Sequence, residues 1–146
     1  MPKIKPLALT EQKARQMLVE VGARATPNRI AVLMLLLDSE WALSHQDIEQ
    51  LLLKRKQDVD RVTLYRTLDW LVEHAVAHKI SGDDRIWRFN APTSQLDEHA
   101  HFFCNNCGKV FCIALASESL PVRLPAHYRL ASSEVVLKGQ CPACRA

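Results

Sequence analysis

The sequence predicts an α+β fold made of a helical first part and a smaller, strand-rich second part. Apolar residues recur at helical spacing over residues 10–75, and a hairpin pattern follows them. Two Cys-x-x-Cys pairs then bracket residues 104–144. A chain of 146 residues with 48% hydrophobic composition is long enough for one domain or two small ones, and it is too apolar to be disordered.

Four helices are predicted in the first part, each bounded by a residue type that caps or ends helices. Hydroxyl and carboxylate side chains serve as N-caps, proline suits the first helical position, and glycine suits the position after the last turn. The predicted boundaries are Thr10 and Gly22 for the first helix, Thr26-Pro27 and Asp38-Ser39 for the second, Ser44 for the third, and Asp58 or Asp60 for the fourth.

The fourth predicted helix has an apolar stripe on one side and a polar, basic surface on the other. The stripe, which should face the core, contains Leu64, Leu68, Leu71 and Val72. The exposed side of its first turns carries two cations, a hydroxyl and a phenol, namely Arg61, Arg66, Thr63 and Tyr65. Side chains of these types suit phosphates, base edges and thymine methyl groups.

A β-hairpin should follow, with strands over residues 76–80 and 85–89 and a turn at residues 81–84. Three or four helices followed by a hairpin form the plan of a winged helix-turn-helix domain, in which the last helix enters the DNA major groove. The alternative is a small helical domain in which Tyr65 is a half-buried core residue. The polar and basic start of the fourth helix favours a DNA-binding domain over residues 1–89.

Basic residues are concentrated in two segments, although the formal net charge is only +3. Residues 1–30 hold six Lys or Arg against two Glu, and residues 54–66 hold five against two Asp. The first segment includes Lys3, Lys5 and Arg15, which we expect to add salt-dependent affinity for DNA. Such runs are also common on solvated surfaces, so charge by itself does not assign a partner.

Neither membrane insertion nor secretion is predicted. The longest aliphatic run, Ile30 to Leu37, is far shorter than the about 20 residues of a membrane span. Residues 1–10 have no long apolar block, so we expect a cytoplasmic protein, in which paired cysteines bind metal more often than they form disulfides. The sequence shows no Ser/His/Asp set and no phosphate loop, so we expect neither an enzyme nor a small-molecule substrate.

The chain changes character after residue 89. Residues 90–98 are polar and predict a hinge before a small module over residues 99–146. In that module we predict a short helix at residues 114–120 and strands at residues 128–130 and 134–138. A module of this size buries little apolar surface by itself, so it needs a metal, a partner or both.

Four of the five cysteines form two pairs with the spacing of metal-binding knuckles. Cys104 and Cys107 form the first pair, followed by Gly108, which permits a tight turn; Cys141 and Cys144 form the second. Two such knuckles complete a tetrahedral four-thiolate set, which is typical of structural zinc and would stabilise a module with a small core. The alternatives are two redox-active pairs or two disulfides.

A second group of metal-binding residue types lies around the hinge. His99 and His101 alternate, so they share a face if their segment is a strand. Cys112 is on the next predicted strand, and His78 is on the first arm of the hairpin. Imidazole and thiolate ligands suit zinc better than a hard ion. We therefore predict a second zinc site formed by these four residues. The alternative is that each His is an ordinary surface or core residue and that Cys112 is a small buried apolar residue.

Over most of its length, from Thr10 to Cys144, the chain resembles the ferric uptake regulator family of bacterial metal-responsive repressors. The resemblance is carried by GARATPNR, RVTLYRTLDWLVEHAVAHKI, HAHFFCNNCGKVFC and CPAC. It implies a homodimer, joined through the C-terminal module, whose winged helices bind a palindromic operator in double-stranded DNA. It also implies that Tyr65 contacts bases, that Arg24 reaches the minor groove, and that the paired cysteines hold zinc. By the same resemblance, His99 and His101 are ligands of a regulatory metal site at the hinge, so the second predicted site is the regulatory one.

Several positions depart from the pattern of iron-responsive members. Cys112 and Arg88 stand where those members commonly have carboxylates, and Ala42 and Ser133 stand near positions of metal-binding histidines. Nearby residues whose membership of a metal site stays open are His45, Glu118 and His127. Because fewer oxygen ligands and one added sulfur favour zinc over iron, the chain is most similar to the zinc uptake regulator branch.

Two other functions remain open at this point. One is an iron- or peroxide-responsive regulator of the same family, which would bind one zinc and a readily exchanged iron. The other is a thiol redox protein that uses its Cys-x-x-Cys pairs. A strong chelator would leave the fold of the redox protein intact, whereas it would unfold a zinc-stabilised module.

Overall fold

The computed structural model describes residues 7–82, 84–91, 99–114, 122–131 and 133–145. The chain divides into two compact units, Met1–Ser94 and Gln95–Ala146. The predictions for Lys3, Lys5, Glu118, most of the hinge and residues 115–120 of the predicted helix fall outside the described residues. Within the described ranges, no helix is long and apolar enough to cross a membrane.

The described part of the first unit contains four helices and a three-stranded antiparallel sheet. In chain order these elements are α1 (Leu7–Glu20), α2 (Pro27–Asp38), β1 (Leu43–Ser44), α3 (His45–Lys54), α4 (Arg61–Glu73), β2 (His78–Ser81) and β3 (Trp87–Asn90). The strand order is β1-β3-β2, with Leu43 paired to Phe89. The α+β class is confirmed, as is the order of helices and then a hairpin, although both hairpin strands begin two residues later than predicted.

Side-chain caps fix where three of the helices begin. In each case the N-cap side chain accepts a hydrogen bond from the backbone N–H three residues later, at 3.4 Å for Thr26, 3.1 Å for Ser44 and 2.8 Å for Asp60. The Asp47 carboxylate accepts a bond from the Ser44 N–H in return, which completes a capping box. The predicted starts of α2, α3 and α4 are therefore confirmed, with Asp60 rather than Asp58 as the cap.

The predicted start of the first helix is wrong. α1 already begins at Leu7, and Thr10 lies inside it. Thr10 is buried, and its hydroxyl donates a hydrogen bond to Asp38 Oδ1 at 2.9 Å, so it joins α1 to the end of α2. The predicted end is confirmed, because Gly22 has a φ of +71° and its N–H donates to the Val19 carbonyl at 2.9 Å.

α2 is the centre of the first unit's core. All eight residues from Ile30 to Leu37 are buried, and α1, α3, α4 and β3 pack around them. A helix that is apolar on every side is typically surrounded by other elements, as α2 is here. The predicted stripe of α4 faces the same core, since Leu64, Leu68 and Leu71 are fully buried.

The described part of the second unit contains a three-stranded sheet and one short helix. These are β4 (His99–Cys104), β5 (Val110–Ala114), β6 (Val135–Gly139) and α5 (Pro142–Arg145). The central strand β4 runs antiparallel to β5 and parallel to β6.

Two predictions for the second unit need correction. The strand predicted at residues 128–130 is wrong, because this segment forms no ladder and Tyr128 and Leu130 are 69% and 65% exposed. Its apolar residues suggested a strand, but strand formation also needs a neighbour with free backbone groups. Ala114, predicted as the start of a helix, instead ends β5.

Candidate metal centre and nucleic-acid interface

The four paired cysteines converge on one point in the second unit. Their Sγ atoms all lie within 4.8 Å of one another, and the Sγ atoms of Cys107 and Cys141 are 3.7 Å apart. A tetrahedral zinc ion with Zn–S bonds of about 2.3 Å separates its sulfurs by about 3.8 Å. All four thiols are free rather than bonded as disulfides. The donor set and its spacing therefore fit a zinc ion.

Parallel pairing of β4 and β6 brings the two cysteine knuckles together. The pairing ends with Cys104 beside Gly139, and the Asn105 N–H donates to the Gly139 carbonyl at 2.7 Å. The first knuckle turns at Gly108, whose φ of +72° is costly for other residues. The second closes through a bond from the Cys144 N–H to the Cys141 carbonyl at 3.0 Å. Each strand end thus delivers one knuckle to the cluster.

The protonation of the cluster is uneven. Backbone N–H groups of Cys107 and then Cys141 lower the pKa of Cys104 to about 6, and the Cys141 N–H lies 3.3 Å from the Cys104 Sγ. A hydrogen bond with Asn106 lowers the pKa of Cys144, but the other three thiols and burial outweigh it and raise that pKa to about 11. Metal binding must therefore displace protons from the cluster, which makes it pH-dependent.

Part of the predicted regulatory set meets within the second unit. His101 and Cys112 are directly paired across β4 and β5, so their side chains share a face with Cβ atoms about 5 Å apart. His101 is buried and Cys112 is exposed. Glu134, which the sequence analysis did not single out, places a carboxylate oxygen 3.8 Å from His101 Nδ1. It precedes β6, which pairs with β4.

The other two members of that set are His99, on the same strand as His101, and His78, in the first unit. His99 starts β4, and His78 starts β2 of the first unit, where it pairs with Asn90. Across the described ranges, the four paired cysteines are the only group of three or more His, Cys, Asp or Glu side chains placed to hold one ion. The regulatory site therefore stays a prediction.

The predicted DNA-contacting residues of α4 lie at its N-terminal end. The side chain of Arg61 is 71% exposed, Tyr65 is 41% exposed, and Arg66 is also exposed. Thr63 is half-buried, and its hydroxyl donates to the Asp60 carboxylate at 2.6 Å, so this donor is already used by the helix cap. Arg24 is exposed in the connection before α2.

Two α3 residues that were not predicted to act at this surface contact it. Glu49 accepts a hydrogen bond from Arg61 Nε at 3.0 Å. The His45 ring packs edge-on against Tyr65, with ring centroids 4.2 Å apart, and against Phe89 at 4.8 Å. Burial and then Lys79 lower the pKa of His45, so its ring is uncharged at neutral pH. His45, considered above as a metal ligand, thus packs between two aromatic rings.

The hairpin of β2 and β3, which we call the wing, has Arg88 at the position where iron-responsive members commonly have a carboxylate. Arg88 is buried there, and its guanidinium donates to Asp84 at 2.6 Å. The Arg88 hydrogen bond lowers the pKa of Asp84, so the pair is charged at neutral pH. A buried cation at this position cannot ligate a metal, which agrees with the departure seen in the sequence.

The chain is similar to known regulators in sequence and in fold. The model of the Ferric uptake regulator family matches residues 20–124. The chain is 30% identical to the zinc uptake regulation protein of Escherichia coli over 90% of this chain and 79% of that protein. It is 27% identical to the peroxide operon regulator of Bacillus subtilis over 91% of this chain and 92% of that protein.

Solved structures share the fold at lower sequence identity. A zinc uptake regulator complexed with zinc and DNA has a TM-score of 0.69 and 22% identity, covering 97% of this chain and 96% of that one. The ferric uptake regulator of Helicobacter pylori has a TM-score of 0.65 and 18% identity, covering 100% of this chain and 98% of that one. Together with the match of the family model to most of the sequence, these likenesses show that the chain belongs to the ferric uptake regulator family of metal-responsive, DNA-binding transcription regulators.

Proposed function

We propose that this chain is a zinc-responsive repressor that binds a palindromic operator as a homodimer and controls genes of metal uptake. The observation that carries the zinc assignment is the direct pairing of Cys112 with His101 across β4 and β5. A thiolate next to an imidazole favours zinc over a hard ion, and no carboxylate stands at the wing position. The zinc uptake regulation protein of E. coli is among the relatives.

The DNA-binding role is assigned to the N-terminal end of α4. Tyr65 and Arg61 are proposed to contact bases in the major groove, while Arg66 and the Thr63 methyl group contact phosphates and thymine methyls. Arg24 is proposed to reach the minor groove. The exposure of Arg61, Tyr65, Arg66 and Arg24 supports this assignment.

Two zinc ions are proposed for each chain. The structural ion is held by the four paired cysteines, and the regulatory ion by His78, His99, His101 and Cys112. Because His78 belongs to the first unit and the other three ligands to the second, this ion would couple the wing to the second unit. Coupling is reciprocal, so operator DNA should tighten regulatory zinc binding by the factor by which zinc tightens DNA binding.

The second unit is proposed to form the dimer. Large apolar side chains are exposed on it, including Ile113, Val136 and Leu137, which are 40%, 46% and 43% exposed. Apolar surface of this kind on a small unit suits an interface with a second copy.

Cys112 variants test the zinc assignment. We expect Cys112→Ser to shift the midpoint of zinc-dependent DNA binding to higher free zinc, with one zinc per chain retained at the structural site. Cys112→Asp should move the response towards Fe²⁺ or Mn²⁺, because a carboxylate is a harder ligand. The control is Arg129→Ser, at an exposed residue of the second unit that belongs to neither proposed metal site nor the proposed dimer surface, and it should leave the midpoint unchanged.

The outcomes separate the three functions. An unmoved midpoint in Cys112→Ser contradicts the regulatory site. One zinc and one exchangeable iron per chain, in protein purified without added metal, would instead identify an iron- or peroxide-responsive regulator, and the peroxide operon regulator of B. subtilis is a relative of that kind. Retention of the fold after complete zinc removal would favour the thiol redox protein.

A further inference from the structure

The two α4 side chains that are proposed to contact bases, Arg61 and Tyr65, are each in contact with one residue of α3. On α4, Arg61 and Tyr65 are four residues apart and lie on one face; on α3, Glu49 and His45 are four residues apart as well. Glu49 contacts Arg61, and His45 contacts Tyr65. The four residues therefore form two parallel cross-helix contacts, which we call the α3–α4 ladder.

The Glu49 contact leaves one edge of the arginine available. Glu49 Oε1 accepts from Arg61 Nε at 3.0 Å, and Glu49 Oε2 lies 3.5 Å from Nη2. Both oxygens lie on the same side of the guanidinium, so the Nη1–Nη2 edge is left for a bidentate partner. A guanine base presents two acceptors that match this edge. Glu49 also offsets part of the positive charge, which disfavours binding to an arbitrary phosphate.

The His45 ring is supported by a buried residue on its other side. His45 is the first residue of α3, directly after the Ser44 capping box. Its ring packs against Phe89, which is fully buried and paired to Leu43 in the sheet of the wing. The His45 ring that contacts Tyr65 is thus held in place by the buried core of the first unit.

We propose that His45 and Glu49 are positioning residues that orient Tyr65 and Arg61 for operator recognition. This inference rests on the proposed DNA-binding function and adds to it the residues that set specificity. Orientation before binding reduces the entropy that base contacts cost, so the ladder increases discrimination between operator and other DNA more than it increases total affinity.

The experiment compares two duplexes with the full zinc-loaded dimer. The operator probe is the duplex that the wild-type protein enriches from a randomised 30-base-pair pool, and the second probe is a scrambled duplex of the same composition. Glu49→Ala should lower the ratio of operator to scrambled affinity about five- to tenfold, a part of the discrimination that a bidentate arginine supplies. Glu49→Gln, which keeps the acceptor oxygen, should restore most of the ratio.

His45 is tested in the same way. His45→Ala should lower the ratio severalfold, and His45→Phe, which keeps an aromatic ring, should restore it. Double-mutant cycles locate the effect: Glu49→Ala should have no further effect on the ratio in Arg61→Ala, nor His45→Ala in Tyr65→Ala. The crossed pairs, Glu49 with Tyr65 and His45 with Arg61, are matched controls that should be additive.

The possible failures are distinguishable. If the wild-type protein enriches no duplex, the proposed DNA-binding function fails, and this inference fails with it. If it enriches one, but Glu49→Ala and Glu49→Gln both tighten binding to the two duplexes alike, Glu49 acts only by repelling phosphates and the inference is overturned. Additive cycles within the ladder overturn it as well. Thermal unfolding and zinc content of each variant show that the fold is retained.

Discussion

Removing zinc from the four-cysteine site should unfold the second unit and leave the first unit folded. The two units differ in the apolar core that they can bury. The first unit has one continuous cluster of buried side chains that runs from Ala14 to Ala91. Among the described residues of the second unit, the buried apolar side chains are Ala100, Cys104, Val110 and Cys141, and two of these are cysteines of the four-cysteine cluster.

The magnitudes show why the metal decides the outcome. Full burial of a side chain such as Val110 contributes about 1.5–3 kcal/mol, whereas ordering the backbone costs about 1–2 kcal/mol for each residue. Structural zinc sites have apparent binding free energies of about 10–16 kcal/mol at pH 7. A loss of about 10–16 kcal/mol is as large as the whole net stability of an ordinary domain, about 5–15 kcal/mol. The second unit has few buried side chains to offset its ordering cost, so it should not stay folded without the metal.

Hydrogen exchange followed by mass spectrometry measures both units in one sample of the full chain. With a strong zinc chelator, amides of β4 and β6 should exchange at the rates of unstructured peptides, while amides of α2 stay protected. Cys104→Ser should produce the same pattern without chelator. Cys112→Ser is the matched control, because it makes the same substitution at the cysteine outside the cluster and should leave β4 protected. Persisting protection of β4 and β6 after elemental analysis shows zinc loss would refute the reasoning.

Two further predictions concern single residues. Gly108→Ala should destabilise the second unit by about 1–2 kcal/mol. Left-handed backbone strain alone causes this loss, because an added Cβ meets nothing within 4 Å. Gly22→Ala, at a similar φ, should instead destabilise the first unit and leave zinc affinity unchanged, so equal effects of the two substitutions on zinc affinity would contradict the prediction. Burial and Lys79 lower the pKa of His45 in the folded protein. Near the unperturbed histidine pKa of 6.5, the unfolded chain therefore binds more protons than the folded protein. Stability should fall as the pH falls through that value. In urea unfolding, His45→Phe should therefore lose less stability than wild type between pH 7.5 and 5.5, and equal losses would count against the shift.

Local chemistry made much of the fold predictable. Thr26, Ser44 and Asp60 cap their helices because an N-cap needs only a side-chain oxygen and the backbone N–H three residues later. Thr10 has the same residue type, yet it lies inside α1 and bonds to Asp38, 28 residues away. Sequence cannot separate these cases, because the difference lies in a tertiary partner. β1 escaped prediction for a similar reason, since two residues form a strand only through their pairing with β3.

The sequence predicts the residues of the two candidate sites to different extents, for a physical reason. The spacing of the four cysteines predicts their convergence because one zinc ion demands four ligands at fixed distances, whatever path the chain takes between the knuckles. The contact between Glu49 and Arg61 has no such external requirement. It depends on how α3 crosses α4, which is set by the buried leucines of both helices and by the central position of α2. The four cysteines that converge are therefore identifiable from sequence, whereas the α3 residues that contact Arg61 and Tyr65 emerge only once the helices are packed.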